Sequence, residues 1–327
     1  MMSIRFASGP EDEVLAERFA ASHPLGSFMQ SPRWALVKPK WGHTVLFSQR
    51  EDGTLRGSML VLSLADRGDG KALLYAPRGP VCDFHDLHAL ADLFAGARML
   101  ASRFGRGEFK CDPLVAEGDA EAVSGLTALG LSFSPGAKFH ETVQPRQNAV
   151  RRGLAGMDEA QLLASFSAKT RYYVRRAVAQ GVTCAPCGQE ALPEFYALYK
   201  ETGRRQGFPV RPEEYLLSIL SAFGAHARLY LCRSPEGEAL AGSVAVAFGP
   251  RLSFVYGASS RRRPELAACY LLQWEMLRFA LERGCDLYDM GGICTDEAES
   301  PALFHLYTFK RKFAPAEGLA GEFRFVF

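Results

Sequence analysis

The chain lacks net charge of either sign, long apolar runs and any ordered spacing of cysteines. Its 38 Lys and Arg against 36 Asp and Glu leave a formal charge of +2. The average therefore excludes a uniformly basic nucleic-acid binder, and any cationic site has to be local. No window approaches the ~20 apolar residues that a transmembrane helix needs. The opening residues MMSIRFASGPEDEVLAERFA lack the apolar core of a signal peptide, so a cytoplasmic protein is expected. The 8 cysteines lie mostly in apolar stretches, where reduced thiols are expected to pack as small hydrophobes. Only Cys184 and Cys187 have motif spacing, and with no second pair or His cluster nearby this reads as chance rather than a zinc or redox site.

What is present is the composition of a globular protein: 327 residues, 48% apolar and 11% aromatic. That length suits one large or two ordinary domains. Alternating apolar segments at 44–50, 55–64 and 72–76, separated by Glu51-Asp52-Gly53 and Gly68-Asp69-Gly70, predict an antiparallel meander. A helical pattern from Leu87 to Phe104, a strand at Glu108 to Asp112 and a short helix at 119–129 follow. A similar order recurs: helices at 191–205 and 212–222, strands at 227–233, 239–248 and 252–258, a helix at 266–283 and a strand at 286–289. Tyr270, Trp274, Leu277 and Leu281 of the long helix form one buried stripe. Finding this α+β order twice predicts a structural duplication. Residues 158–181 read as one connecting helix.

The charge is uneven. Residues 1–145 carry 15 basic and 17 acidic side chains, or −2, and residues 146–327 carry 23 and 19, or +4. Between 146 and 182 stand Arg146, Arg151, Arg152, Lys169, Arg171, Arg175 and Arg176 against only Asp158 and Glu159. In the last part of this stretch, Lys169, Tyr173, Arg176 and Gln180 share a helical face. Cations interleaved with aromatics suit a nucleic-acid backbone with exposed bases, and a solvated helix face fits nearly as well.

Other motifs have a plain structural reading beside a chemical one. Ser31-Pro32 before Trp34 is a helix start, with Lys38 one turn beyond. Tyr75-Ala76-Pro77-Arg78-Gly79-Pro80 is either a stiff connection or an anion-binding loop around one Arg. Asp112 ends a strand, where open sheets place ligand groups, and it also precedes a proline as in ordinary turns. Arg204-Arg205 through Arg211 to Tyr215, between two helices, could hold a diphosphate through forked and hydroxyl hydrogen bonds. Tyr256 ends a strand. Ser300-Pro301 starts a helix that ends in Phe309-Lys310-Arg311-Lys312-Phe313, whose cations also offset the helix dipole.

The unit order resembles acyl-CoA N-acyltransferases. Their pyrophosphate cradle needs glycines where a strand meets the long helix, and here that junction reads Ser260-Arg261-Arg262-Arg263-Pro264-Glu265-Leu266. Coenzyme A is not expected there. Taken together, Phe28-Met29-Gln30-Ser31 with Trp34, Tyr75 to Pro80, Lys169 to Gly181, Tyr288-Asp289-Met290-Gly291-Gly292, and Phe309-Lys310 with Phe313 resemble the FemXAB family of non-ribosomal peptidyltransferases. These use aminoacyl-tRNA to extend peptidoglycan precursors. Two positions depart: Tyr173 stands where Asn is common, and Ala314 where Gly is usual.

The resemblance implies two tandem acetyltransferase-like (GNAT) domains without a coiled-coil arm. Residues 1–145 with 318–327 would form the precursor-binding domain, and 146–317 the aminoacyl-tRNA side. It implies that Lys38, Arg211, Tyr215 and Tyr256, with Arg78 of the loop, meet the nucleotide part of the precursor. Asp112 would lie near the acceptor amine, and Phe309 and Lys310 would serve the tRNA acceptor end and catalysis. Lys169, Arg171, Arg175 and Arg176 would dock tRNA. An ester donor is already activated, so no cofactor or metal is expected. The implied partners are aminoacyl-tRNA and either UDP-MurNAc-pentapeptide or lipid II, the latter compatible with peripheral contact at the inner membrane face; DNA is not among them. Two alternatives are an acyl-CoA-dependent N-acyltransferase acting on a cell-envelope amine and a non-catalytic tRNA- or precursor-binding relative.

Overall fold

The first half of the chain builds a twisted sheet from short alternating segments. The computed structural model describes residues 4–136 and 141–327. Contacts divide the chain into one unit of residues 1–147 with 317–327 and a second of residues 148–316. The first unit contains β1 (Ile4–Phe6), α1 (Pro10–Ser22), α2 (Arg33–Leu36), β2 (Gly42–Gln49), β3 (Leu55–Leu64), β4 (Ala72–Ala76), β5 (Val81–Cys82), α3 (Leu87–Ala101), β6 (Gly107–Cys111), α4 (Ala120–Ala128) and β7 (Ser132–Ser134). The second runs through β8 (Gln147–Arg151), α5 (Glu159–Ala164), α6 (Ala168–Ala179), β9 (Thr183–Cys187), α7 (Leu192–Gln206), α8 (Glu213–Phe223), β10 (Ala227–Arg233), β11 (Ala239–Phe248), β12 (Arg251–Ser259), α9 (Ala268–Glu282), β13 (Leu287–Gly292) and α10 (Pro301–Lys310). β14 (Ala316–Gly318) and β15 (Glu322–Val326) end the chain.

The two sheets share one connection pattern. In the first, the antiparallel run β2-β3-β4 is followed by β6 parallel to β4, and then by β15 antiparallel to β6. In the second, the antiparallel run β10-β11-β12 is followed by β13 parallel to β12, and then by β8 antiparallel to β13. The α3 helix crosses between the parallel strands of the first sheet and α9 between those of the second, as a parallel pair requires. The expected duplication is therefore present as topology.

Each sheet buries its helix. Leu90, Leu93, Phe94 and Ala97 of α3 are fully enclosed, and Phe94 meets Phe109 of β6 edge to face at 5.9 Å. Each such Leu or Phe contributes roughly 1.5–3 kcal/mol. The Asp86 side chain accepts from the amides of His88 and Ala89 and starts α3. The α9 helix is buried almost all round, Leu271, Leu272, Gln273 and Met276 included, rather than along the single expected stripe. It lies under both its own sheet and α6.

Three expectations are corrected. Residues 158–181 form two helices, because Phe166 turns into the core and Ser167 starts a new helix by accepting from the Thr170 amide at 3.2 Å. The helix expected after Ser31-Pro32 is one turn, α2. Cysteine is not uniformly reduced: Cys184 on β9 and Cys232 on β10 stand directly opposite and form a disulfide. Among the described residues, no helix exceeds 15 residues, so no helical arm projects. None is long and apolar enough to cross a membrane.

Candidate active site

In the first unit, two parallel strands end side by side and bring Tyr75, Arg78 and Asp112 together. β4 and β6 pair in register up to Ala76 and Cys111, so the next residue of β6 meets the loop that leaves β4. Asp112 is 2% exposed. One carboxylate oxygen accepts from the Tyr75 hydroxyl at 2.6 Å, the other from the Arg78 amide at 2.7 Å. Burial pushes the Asp112 carboxyl up to about 6, although the Arg78 charge, its amide and the Tyr75 hydroxyl pull the other way. Burial likewise raises the Tyr75 phenol, so it stays neutral and donates.

The loop is held in an unusual shape from below. Arg78 has φ 56°, a left-handed conformation that aims its amide at Asp112. Gln30 bridges the sheet and the loop: its Nε2 donates to the Leu60 and Pro77 carbonyls, and its Oε1 accepts from the Leu60 amide. A side chain at Gly79 would collide with Gln30. The Arg78 guanidinium, expected at a substrate anion, donates to the Pro145 carbonyl at 2.9 Å. Lys38 places its ammonium over the Trp34 ring at 5.0 Å.

In the second unit, the parallel strands part and open a cavity. β12 pairs with β13 only from Arg251 to Ser253 against Leu287 to Asp289. Just beyond, β12 carries an extra residue against β11, where the partners of Val244 and Ala245 are Tyr256 and Phe254. Such a bulge bends a strand out of its ladder. The resulting cavity measures 680 Å³ and is lined by both strand ends, α7, α9 and α10. Among the described residues, its lining includes Arg205, Arg261, His305 and Lys310 but no Asp or Glu, and Glu201 pairs with Arg205 beside it. Cationic side chains thus share its wall with the apolar Phe254, Leu272 and Phe309.

Lys310, at the end of α10, is 7% exposed. Its Nζ donates to the carbonyl oxygens of Met290 at 2.7 Å and Gly292 at 2.9 Å, on the last residues of β13. Burial lowers its pKa to about 8, and the negative charge of Asp289 opposes that shift. At neutral pH the group remains mostly an ammonium, with one N–H beyond the two carbonyl bonds. Phe309 sits edge-on to Tyr270 at 5.3 Å, and Tyr270 stacks on Tyr173 of α6 at 4.7 Å. The Tyr that departs from the usual Asn therefore joins an aromatic bridge from the basic helix to the cavity wall.

Three of the expected nucleotide-binding residues cluster on another side of the second unit. The Arg211 guanidinium lies 5.5 Å from the Tyr215 ring centre, and the rings of Tyr215 and Tyr256 meet at 6.3 Å. Burial raises both phenols, so each is a neutral hydroxyl. On α6, Arg171, Arg175, Arg176 and Tyr172 border a shallow groove. Lys169 and Arg175 are exposed. Arg171 is not free for a ligand in the same way, since its guanidinium bonds the Ala164 and Phe166 carbonyls.

A family model described as the FemAB family matches residues 13–235 and 233–327. The chain belongs to the FemAB family. This FemAB-family chain is 30% identical over 326 residues to the UDP-N-acetylmuramoylpentapeptide-lysine N(6)-alanyltransferase of Weissella viridescens, spanning 97% of this chain and 94% of that one. It is 25% identical to the Lipid II:glycine glycyltransferase of Staphylococcus aureus, over 90% of this chain and 86% of that one. The crystal structure of FemX matches its fold with a TM-score of 0.89 at 23% identity, covering 99% and 97% of the two chains. A tandem GNAT protein from the clavulanic acid pathway has the same architecture, with a TM-score of 0.57 at 13% identity, over 99% and 98% of the chains. The two units of this FemAB-family protein are thus tandem GNAT-like domains.

Gln273 and His305 line the FemAB-family cavity without having been singled out by their sequence context, Arg205 and Arg261 line it from stretches read as a diphosphate-holding loop and as the junction before the long helix, and Arg251 pairs with Asp289 behind it. A signal existed for one of them. Gln273 shares a helical face with Cys269, Met276 and Ala280, so a polar residue interrupts an otherwise apolar face. The others are ordinary surface residue types until the strands part around them.

Proposed function

We propose that this protein transfers an amino acid from aminoacyl-tRNA to the stem-peptide amine of a peptidoglycan precursor, forming part of an interpeptide bridge. The observation that carries the reading is the buried Lys310 ammonium, fixed by two carbonyls in a pocket lined, among the described residues, by cations and no carboxylate. A phosphate-bearing donor ending in an ester fits such a pocket. The names of the relatives, an alanyltransferase and a glycyltransferase acting on peptidoglycan precursors, agree with it.

The reaction joins an amine to an ester carbonyl and releases the tRNA ribose hydroxyl. An amine of ordinary pKa is charged at pH 7, and exposing its neutral form costs about 4.6 kcal/mol. Asp112, held near pKa 6, is the group of the first unit suited to orient that amine and take its proton. Lys310 stabilises the negative charge that develops on the carbonyl oxygen and can return a proton to the departing ribose oxygen. Phe309 packs beside the donor end. Arg211, Tyr215 and Tyr256 are the second unit's candidates for the precursor's nucleotide part, and Lys38 and Arg78 are the first unit's. Lys169, Arg175 and Arg176 face tRNA phosphates, and Arg171 supports them.

A coenzyme A donor is disfavoured by the junction before α9. Arg262 and Arg263 there are tied to Glu238, Glu236 and Glu265 rather than open to a pyrophosphate. The test is to incubate the protein with a mixed labelled aminoacyl-tRNA pool, acetyl-CoA and both precursor types, then weigh the products. An aminoacylated precursor is expected. An acetylated product with no aminoacyl product would overturn the reading.

A further inference from the structure

The long helix α9 carries a polar side chain into its buried face. Gln273 is 4% exposed and lies among Leu271, Leu272 and Trp274. A buried primary amide has two N–H donors and an acceptor oxygen to satisfy, so each half needs a partner. One half has it: the Tyr288 hydroxyl donates to Gln273 Oε1 at 2.6 Å. Tyr288 is fully buried on β13, and burial keeps its phenol protonated. Turning the amide over would let its NH2 donate to the phenol oxygen but would leave the buried phenol hydrogen without the acceptor it has in Gln273 Oε1, so the oxygen faces Tyr288.

The other half has no partner among the described residues. Gln273 lines the cavity, and among the described residues no group accepts from its Nε2. A second observation points the same way. Arg205, from α7 on the same cavity, donates to Ser259 Oγ at 3.2 Å, yet its Nη1, 3.7 Å from a Glu201 carboxylate oxygen, is buried without a hydrogen-bond acceptor. The amide donor of Gln273 and the cations Arg205, Arg261 and Lys310 thus line one cavity, which suits a ligand carrying acceptor oxygens.

We propose that Gln273, oriented by Tyr288, is a recognition residue of this cavity, and that its Nε2–H hydrogen-bonds an acceptor oxygen of the donor's aminoacyl-ribose end. The proposal rests on the reading of the cavity as the donor site. Gln273 sets donor affinity, and Tyr288 is a positioning residue that keeps the amide from turning. Neither residue moves a proton or touches the precursor.

The test uses the full chain and a hydrolysis-resistant probe, 3′-deoxy-3′-aminoadenosine acylated with alanine, glycine or serine. Probe binding is measured by calorimetry, and the KM values for aminoacyl-tRNA and for precursor are measured separately. Gln273→Glu keeps an acceptor for the Tyr288 hydroxyl but removes the donor; Gln273→Met removes both. Each is expected to weaken the best probe and raise the aminoacyl-tRNA KM roughly tenfold, the scale of one hydrogen bond, with the precursor KM unchanged. Tyr288→Phe is expected to give a smaller loss of the same kind, and it carries the comparison should a Gln273 variant fail to fold. A folded Gln273 variant, or a Tyr288→Phe protein in that event, that binds the probe like wild type would overturn this proposal and leave the cavity's assignment standing. A wild-type protein that ignores every probe while forming no aminoacyl product would overturn both.

Discussion

The partly exposed Asp289 pairs with the buried Arg251 behind the Lys310 clamp. One Asp289 oxygen accepts from Arg251 Nη1 at 2.8 Å, and the other accepts from the Gly291 amide at 2.8 Å. The same carboxylate therefore neutralises a buried guanidinium and shapes the turn whose flanking carbonyls hold the Lys310 ammonium. Its charge also favours the protonated form of Lys310.

Asp289→Asn should act on both. It removes one charged partner of the buried Arg251, which should lower unfolding free energy by about 1–3 kcal/mol. It also removes the influence that raises the Lys310 pKa, so that pKa should fall below its present value of about 8. Activity that needs the ammonium should then be lost at lower pH, and the alkaline limb of the kcat profile should move down by about one unit. Denaturant titration and a pH–rate profile read the two effects separately; an unmoved limb would mean that Lys310 does not act as the ammonium.

Lys310→Met should reduce kcat by roughly 10²–10³, the scale seen when one donor to a developing oxyanion is removed. Precursor KM should stay within about twofold, because the residue lies in the cavity and not among Arg211, Tyr215 and Tyr256. Steady-state kinetics with aminoacyl-tRNA saturating decide it. A kcat equal to wild type would remove Lys310 from the chemistry.

Asp112 should leave a mark on stability as well as rate. Its folded pKa of about 6 lies above the ordinary 3.8, so between these values the folded state binds more protons than the unfolded state. Stability should therefore fall as pH rises from about 4 to 6 and change little from this group above that. Asp112→Asn should flatten that slope in urea titrations. Tyr75→Phe removes a bond that favours the carboxylate, so the acid limb of the rate profile should move to higher pH.

On α6, the exposed Lys169 and Arg175 and the half-buried Arg176, which bonds side chains of its own helix end, should separate experimentally from Arg171. A Lys169→Ala, Arg175→Ala, Arg176→Ala triple variant should bind tRNA with a log–log salt slope shallower by about 0.7 to 0.9 for each phosphate charge it no longer neutralises. Arg171→Ala should instead lower the melting temperature, since its guanidinium ties α6 to the end of α5. An unchanged slope in the triple variant would place the tRNA elsewhere.

Much of this molecule was legible from neighbours in sequence. Alternation at 44–50 and 55–64 is β2 and β3, and the apolar period from Leu87 onward is α3, because a strand face repeats every second residue and a helix face nearly every fourth. Five short motifs pointed to the family that the chain belongs to. The acidic Asp112 after a strand and the cationic end of α10 were visible as residue types in telling places.

What tertiary structure alone decided involves partners far apart in the chain. Nothing near Cys184 announces Cys232, nothing near Asp289 announces Arg251, and Gln273 meets Tyr288 only because β13 passes under α9. Ser165 to Ser167 breaks a helix that composition would continue, since Phe166 gains more in the core than an extra helical turn would. The altered pKa values of Asp112 and Lys310 arise the same way. Periodicity and turn chemistry act over a few bonds, whereas burial, strand register and the field at a buried charge depend on whatever the fold brings alongside.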